Sequence, residues 1–139
     1  MKLSEMMSRN VQVVSPEQAV VEAAIRMRDE DVGAIPVCQG KQLVGMLTDR
    51  DIVIRAVADK RDLSAAKVSE VMSEQALRYA FEDDDLEDAA KMMAEHQIRR
   101  LPILDKNRDL VGIVSLGDVA RSAKHKLAGK SLEGVSQPS

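Results

Sequence analysis

A hydroxyl residue followed three positions later by an aspartate occurs twice in this chain in nearly the same words. Thr48 and Asp51 lie in "LVGMLTDRDIV", Leu43 to Val53, and Ser115 and Asp118 in "LVGIVSLGDVA", Leu110 to Ala120. A Ser or Thr with an acidic residue three places on is a capping box, in which side chain and backbone satisfy each other at a helix start. The same place can do more. A helix amino terminus directly after a strand presents free N–H groups and a positive dipole end, which suits phosphate, and a carboxylate held there can accept both hydrogen bonds of a ribose diol. Spacing leaves both readings open.

Other polar residues offer less. Arg99-Arg100 precedes "LPIL" where the earlier copy has Gly33-Ala34, and adjacent side chains on an extended segment point to opposite faces, so one arginine at most faces a cleft. A planar guanidinium suits phosphate, which would make the two copies chemically unequal. Ser115, His96 and Asp118 have the residue types of a nucleophilic triad, yet no nucleophile-elbow sequence surrounds Ser115. His96 reads as a helix-end histidine, His125 lies near the tail, and no metal-ligand spacing links the two. "EDDDLED", Glu82 to Asp88, reads as a solvated acidic first turn that complements a helix dipole.

The elements that position these residues are themselves duplicated. "LSEMMS" at Leu3 matches "VSEVMS" at Val68, "EAAIRM" at Glu22 matches "DAAKMM" at Asp88, and "GAIPV" at Gly33 matches "RRLPI" at Arg99. The offset grows from 65 residues (3 to 68) to 67 (43 to 110), with order kept throughout. In each copy a helix comes first. Ser15 is the expected N-cap of the first, with Pro16 at its first position and Gln18 closing a capping box. Val20, Ala23, Ala24 and Met27 form its apolar face, and Leu86, Ala89, Ala90 and Met93 repeat that face. Two short strands follow, "AIPVC" and "LVGML" or "RLPIL" and "LVGIV", with Pro36 and Pro102 predicting edge or strand-end positions for the first of each pair. The hydroxyl-x-x-Asp turn then opens a second helix.

Two such copies predict an α/β (α+β) fold of two pseudo-twofold β-α-β-β-α repeats, residues 1–62 and 63–126, with a mobile tail over 127–139. Each half of about 60 residues is expected to be too small to close a core alone. Composition bounds the function. The 139 residues carry a net charge of −3 and only one Tyr, one Phe and no Trp, so there is neither the basic field nor the stacking surface that nucleic acid requires. No window approaches the roughly 20 apolar residues of a membrane span, and "MKLSEMMSRN" has no signal-type apolar region, so a cytoplasmic protein with no membrane partner is expected. Cys38, the one cysteine, is read as a small core residue and excludes an internal disulfide.

"DVGAIPVCQGKQLVGMLTDRDIV" and "HQIRRLPILDKNRDLVGIVSLGDVA" resemble the two motifs of a tandem CBS-domain pair, a Bateman module, named after cystathionine β-synthase; the resemblance covers about Leu3 to Lys124. It implies a homodimer that binds an adenosyl ligand (AMP, ADP, ATP, NAD or S-adenosylmethionine) in clefts between repeats. Carried over residue by residue, it implies one cleft from Ile113, Ser115, Asp118 and Arg99 with Val32 and Gly33, and a second from Met46, Thr48 and Asp51 with Ile98 and Arg100. The second copy departs from the pattern, with "YAFEDD" where the first has "VVSPEQ". The reading is therefore a non-enzymatic regulatory module of signal transduction, with no metal and no catalytic cofactor, acting on a protein partner in trans. A structural or stress-response interaction protein with this fold and no nucleotide is the alternative, and hydrolysis through Ser115 a weaker one.

Overall fold

Ala19, and not Ser15, caps the first helix in the computed structural model, which describes residues 1–73 and 77–122. The Ser15–Gln18 contact does form, with Ser15 N–H donating to Gln18 Oε1 at 2.7 Å. It closes an isolated turn, because Val68 N–H bonds Gln18 O at 2.8 Å and Ser69 N–H bonds Pro16 O at 2.9 Å. Those bonds hold the turn's carbonyls outside any helix, and α1 starts one turn later, at Val20–Glu30. His125 and the tail from Leu127 lie outside the described residues.

The chain divides into two units, neither continuous in sequence. Of the described residues, the first-copy unit holds those within Val11–Arg78 together with Asn107–Leu110, and the second-copy unit holds Met1–Asn10, Tyr79–Lys106 and residues 111–122.

In the first-copy unit, β1 (Ala34–Gln39) pairs antiparallel with β2 (Gln42–Thr48) across a turn in which Gly40 takes φ +62°. On its other side β1 receives Val14 in a parallel bridge: Val14 N–H bonds Pro36 O at 3.1 Å and Cys38 N–H bonds Val14 O at 2.9 Å. Pro36 is thus inside the sheet and not at an edge. It is tolerated because Met46, its partner across β2, directs both backbone groups outward to Ser73, at 3.1 and 2.9 Å, and asks Pro36 for no donor. After β2 comes α2 (Asp49–Asp51), which widens into a π-helical stretch over Ile52–Val57 with bonds from Ala58 N–H to Val53 O and Arg61 N–H to Ala56 O, both 2.9 Å. The short α3 (Val68–Val71) leads to Ser73.

The second-copy unit repeats this plan. Its sheet runs β3 (Ala80–Phe81), β4 (Arg100–Leu104), β5 (Leu110–Ser115), with β3 parallel to β4. Pro102 therefore also lies on an interior strand. Before β4 comes α4 (Leu86–His96), and residues 116–122 are helical after β5. Where Ser73 closes the first copy, Ser8 closes the second, exchanging two bonds of 2.9 Å with Ile113. Both α1 and α4 end on a residue in left-handed conformation that is not glycine, Asp31 (φ +53°) and Gln97 (φ +54°).

Each unit has its own buried cluster. Val20, Ala23 and Met27 from α1 meet Ile35, Val37 and Leu47 from the strands, and Val68, Val71 and Met72 complete the set. In the other unit Leu86, Ala89 and Met93 from α4 meet Leu101, Ile103 and Val114, completed by Leu3 and Met7. A half too small to close alone closes by taking in the short helical turn from the start of the other copy.

Candidate functional site

Both hydroxyl-x-x-Asp turns stand where an apolar strand passes directly into a helix. In the first copy Thr48, with extended backbone, is the N-cap of α2. Its Oγ1 accepts from Asp51 N–H at 3.0 Å and Asp51 Oδ2 accepts from Thr48 N–H at 3.0 Å, the reciprocal capping box. Gly33 faces this turn: its carbonyl accepts from Asp49 N–H at 2.9 Å, and a Cβ on Gly33 would lie 3.1 Å from Asp49 Oδ2. Val32 packs on the core beside it, and Met46 precedes the turn on β2. Arg55 is committed elsewhere, its guanidinium donating to Met72 O at 3.2 Å and Val71 O at 3.5 Å.

The second copy is built alike and finished differently. Ser115 Oγ accepts from Asp118 N–H at 3.1 Å, and Leu116 N–H bonds Arg99 O at 2.7 Å, the counterpart of the Asp49–Gly33 bond. Here, however, Asp118 Oδ1 is paired with the Arg121 guanidinium. Ile113 is buried on β5 and Ile98 packs against the core just before Arg99. Arg99 is exposed, whereas Arg100 opens β4 half-buried, with its Nε shielded from water and without a hydrogen-bond partner. A buried donor without a partner costs free energy of about 1–3 kcal/mol until an acceptor reaches it.

The structure thus gathers Val32, Gly33, Met46, Thr48 and Asp51 within one unit, and Ile98, Arg99, Arg100, Ile113, Ser115 and Asp118 within the other. Sequence reasoning missed Arg121, although its place one helical turn after Asp118 is readable as an i,i+3 pair. It also missed Asp49, which shares its turn with Gly33. His96 is the exposed last residue of α4. Among the described residues, no group of His, Cys, Asp and Glu is placed to hold a metal ion, and no helix is long and apolar enough to cross a membrane. Cys38 is buried on β1, and burial pushes its thiol up to about 11.

Two β-α-β-β-α copies, each with a hydroxyl-x-x-Asp turn after its hairpin, define a tandem-repeat α/β module. The chain belongs to the CBS domain family, which matches residues 3–57 and 68–125. It is 48% identical over 135 residues to the CBS domain-containing protein YhcV of Bacillus subtilis, covering 96% of this chain and 94% of that protein. It is 33% identical to Hypoxic response protein 1 of Mycobacterium tuberculosis, covering 96% and 93%. Among solved structures it is similar to CBSX2 in complex with AMP, with a TM-score of 0.78 and 27% identity over 91% of this chain and 98% of that one; CBSX2 is a CBS-pair protein from Arabidopsis thaliana.

Proposed function

We propose that this chain is a non-enzymatic sensor that binds an adenosyl nucleotide at its hydroxyl-x-x-Asp turns and passes the change to a partner protein in trans. The observation that carries the reading is the pairing of like with like. Both hairpins end on the same turn, with a hydroxyl and a carboxylate together at a helix start, in a chain similar to CBSX2, whose structure contains AMP. Asp51 and Asp118 take the ribose hydroxyls, Thr48 and Ser115 lie toward ribose or phosphate, and Val32, Gly33, Met46, Ile98 and Ile113 line the base. Arg99 and Arg100 supply positive charge, the unpartnered Nε of Arg100 being the donor that gains most from an acceptor. AMP, ADP, ATP, NAD and S-adenosylmethionine share the adenosyl group that this set reads.

The module works as a homodimer in the cytoplasm. Val53, Ile54 and Val57 on the π-helical stretch are 58%, 44% and 53% exposed, an apolar face that a second copy would cover.

One observation favours the structural alternative: Thr48 and Asp51 satisfy each other in a reciprocal capping box. Titration of the five ligands by calorimetry and thermal shift separates the two readings. A ligand at 100 times its dissociation constant stabilises the fold by about 2.7 kcal/mol. Asp118→Asn keeps an acceptor oxygen for the cap yet loses the charge, so it should weaken binding by about 1.5–3 kcal/mol while the unliganded melting temperature hardly moves. No shift with any of the five would leave the turns as capping boxes.

A further inference from the structure

We infer that Arg121 is the residue that makes the second-copy turn select phosphate, and that Asp118 holds it in readiness. The inference rests on the nucleotide reading above and goes further, to what the turn distinguishes among adenosyl ligands. The Arg121 guanidinium is paired with Asp118 Oδ1, the carboxylate given to the ribose diol. The two side chains are 70% and 47% exposed, and a solvated pair three residues apart on one helix is weak and exchanges readily. A diol that takes Asp118 therefore displaces a cation, and that cation remains tethered within one turn of the bound ligand.

The guanidinium lies near Gly117: a Cβ there would be in ordinary contact with Arg121 Nη1 at 3.6 Å and with Ser115 Oγ at 4.0 Å, so both groups border the same glycine. Released from Asp118, it meets a phosphate at Ser115 in the bidentate geometry that suits a guanidinium. An adenosine without phosphate displaces the same ion pair and gives nothing back. The first copy lacks the device. Ile54 stands at the place of Arg121, exposed Arg50 at that of Gly117, Arg55 is spent on the carbonyls of α3, and Asp51 is bonded to Thr48 N–H and not to a cation.

The test is calorimetric titration of the full chain with AMP and with adenosine, in an Asp51→Asn background so that the second-copy turn is read. Arg121→Ala should weaken AMP about tenfold and leave adenosine unchanged or slightly tighter, since Asp118 is then open from the start. Arg121→Lys should restore only part of the preference, because a point charge serves one phosphate oxygen where the guanidinium serves two. Equal losses for both ligands, or an AMP affinity that does not move, would overturn the inference while leaving the nucleotide reading in place. If the Arg121-containing protein binds neither ligand, both fall together.

Discussion

A methyl group added at Gly112 tests how each unit is closed. An alanine Cβ there would lie 2.4 Å from Met7 Sδ, 2.8 Å from Met7 Cγ and 3.1 Å from Ser8 O. At Gly45, the matching place in the first copy, the distances are 3.0 Å to Met72 Sδ and 3.1 Å to Ser73 O. The carbonyl contact is the same in both copies, so the difference lies in the methionine: at Gly112 Met7 must move both Sδ and Cγ aside, whereas at Gly45 only Met72 Sδ is close, its Cγ being 3.5 Å away. Overpacking of this kind costs about 1–3 kcal/mol. Replacing glycine by alanine also narrows the unfolded ensemble, which returns about 0.4–1 kcal/mol. The net loss is then about 1–2 kcal/mol for Gly112→Ala and about 0–1 for Gly45→Ala, with the melting temperature falling by about 3 °C per kcal/mol at this size. Urea denaturation gives the free energies, and Met7→Ala supplies the cycle. Met7→Ala alone should cost about 2–4 kcal/mol as a buried truncation, and in its background Gly112→Ala should lose at least half its effect. A Gly112→Ala cost that is indifferent to Met7, or smaller than that of Gly45→Ala, refutes the contact as the cause.

Leu3 is fully buried, so Leu3→Ala should cost about 2–4 kcal/mol; hydrogen exchange should show β5 losing protection, and a neutral result would mean that the short helical turn at Leu3 does not belong to that core. For Cys38 the folded thiol titrates near 11 against an ordinary 9.0, so the unfolded chain gives up its proton first. Stability is full below about pH 9 and falls as pH rises toward 11, by about 2–3 kcal/mol in all, and Cys38→Ala should abolish that part of the alkaline slope in denaturation at stepped pH. Light scattering at micromolar concentration should return twice the chain mass, and Ile54→Glu should reduce it to one; a monomer from the unaltered chain removes the homodimer.

Where local pattern and tertiary demand coincide, the elements were legible. The buried face of α1 and of α4 and the strands flanking each hairpin follow from apolar spacing, because a three-residue and a two-residue period leave little freedom in which side to bury. The first helix start was misplaced because Ser15, Pro16 and Gln18 make a real local bond that the Gln18 and Pro16 carbonyls then spend on Val68 and Ser69, partners 50 or more residues away. Pro36 and Pro102 misled for a related reason. The rule that proline avoids interior strands concerns the missing donor, and at Pro36 the opposite residue, Met46, bonds outward to Ser73, so nothing is missing. The left-handed caps at Asp31 and Gln97 leave no glycine to read.

The repeat itself was plain, but which half each piece serves was not. An alignment that keeps order sets "LSEMMS" against "VSEVMS" and says only that the two do the same work; the structure puts Leu3 and Met7 into the core of the second copy and Val68, Val71 and Met72 into that of the first. The trace of this in the sequence is the glycine of each "LVG". It sits in a strand otherwise rich in large apolar residues, where glycine weakens pairing and needs a reason. That reason is the methionine that ends each short turn, pressed against the strand at a spot where any Cβ would meet its sulfur at 3.0 Å or less. Paired glycines and methionines are thus the readable signature of the exchange. Because the matched segments keep the same order, both copies close the turn with a hydroxyl that accepts from the aspartate N–H, while the helix that follows differs, π-helical over Ile52–Val57 in the first copy and α-helical over 116–122 in the second. Ile54 and Arg121 occupy one such matched position, and there the two copies have come to differ in the charge beside the aspartate.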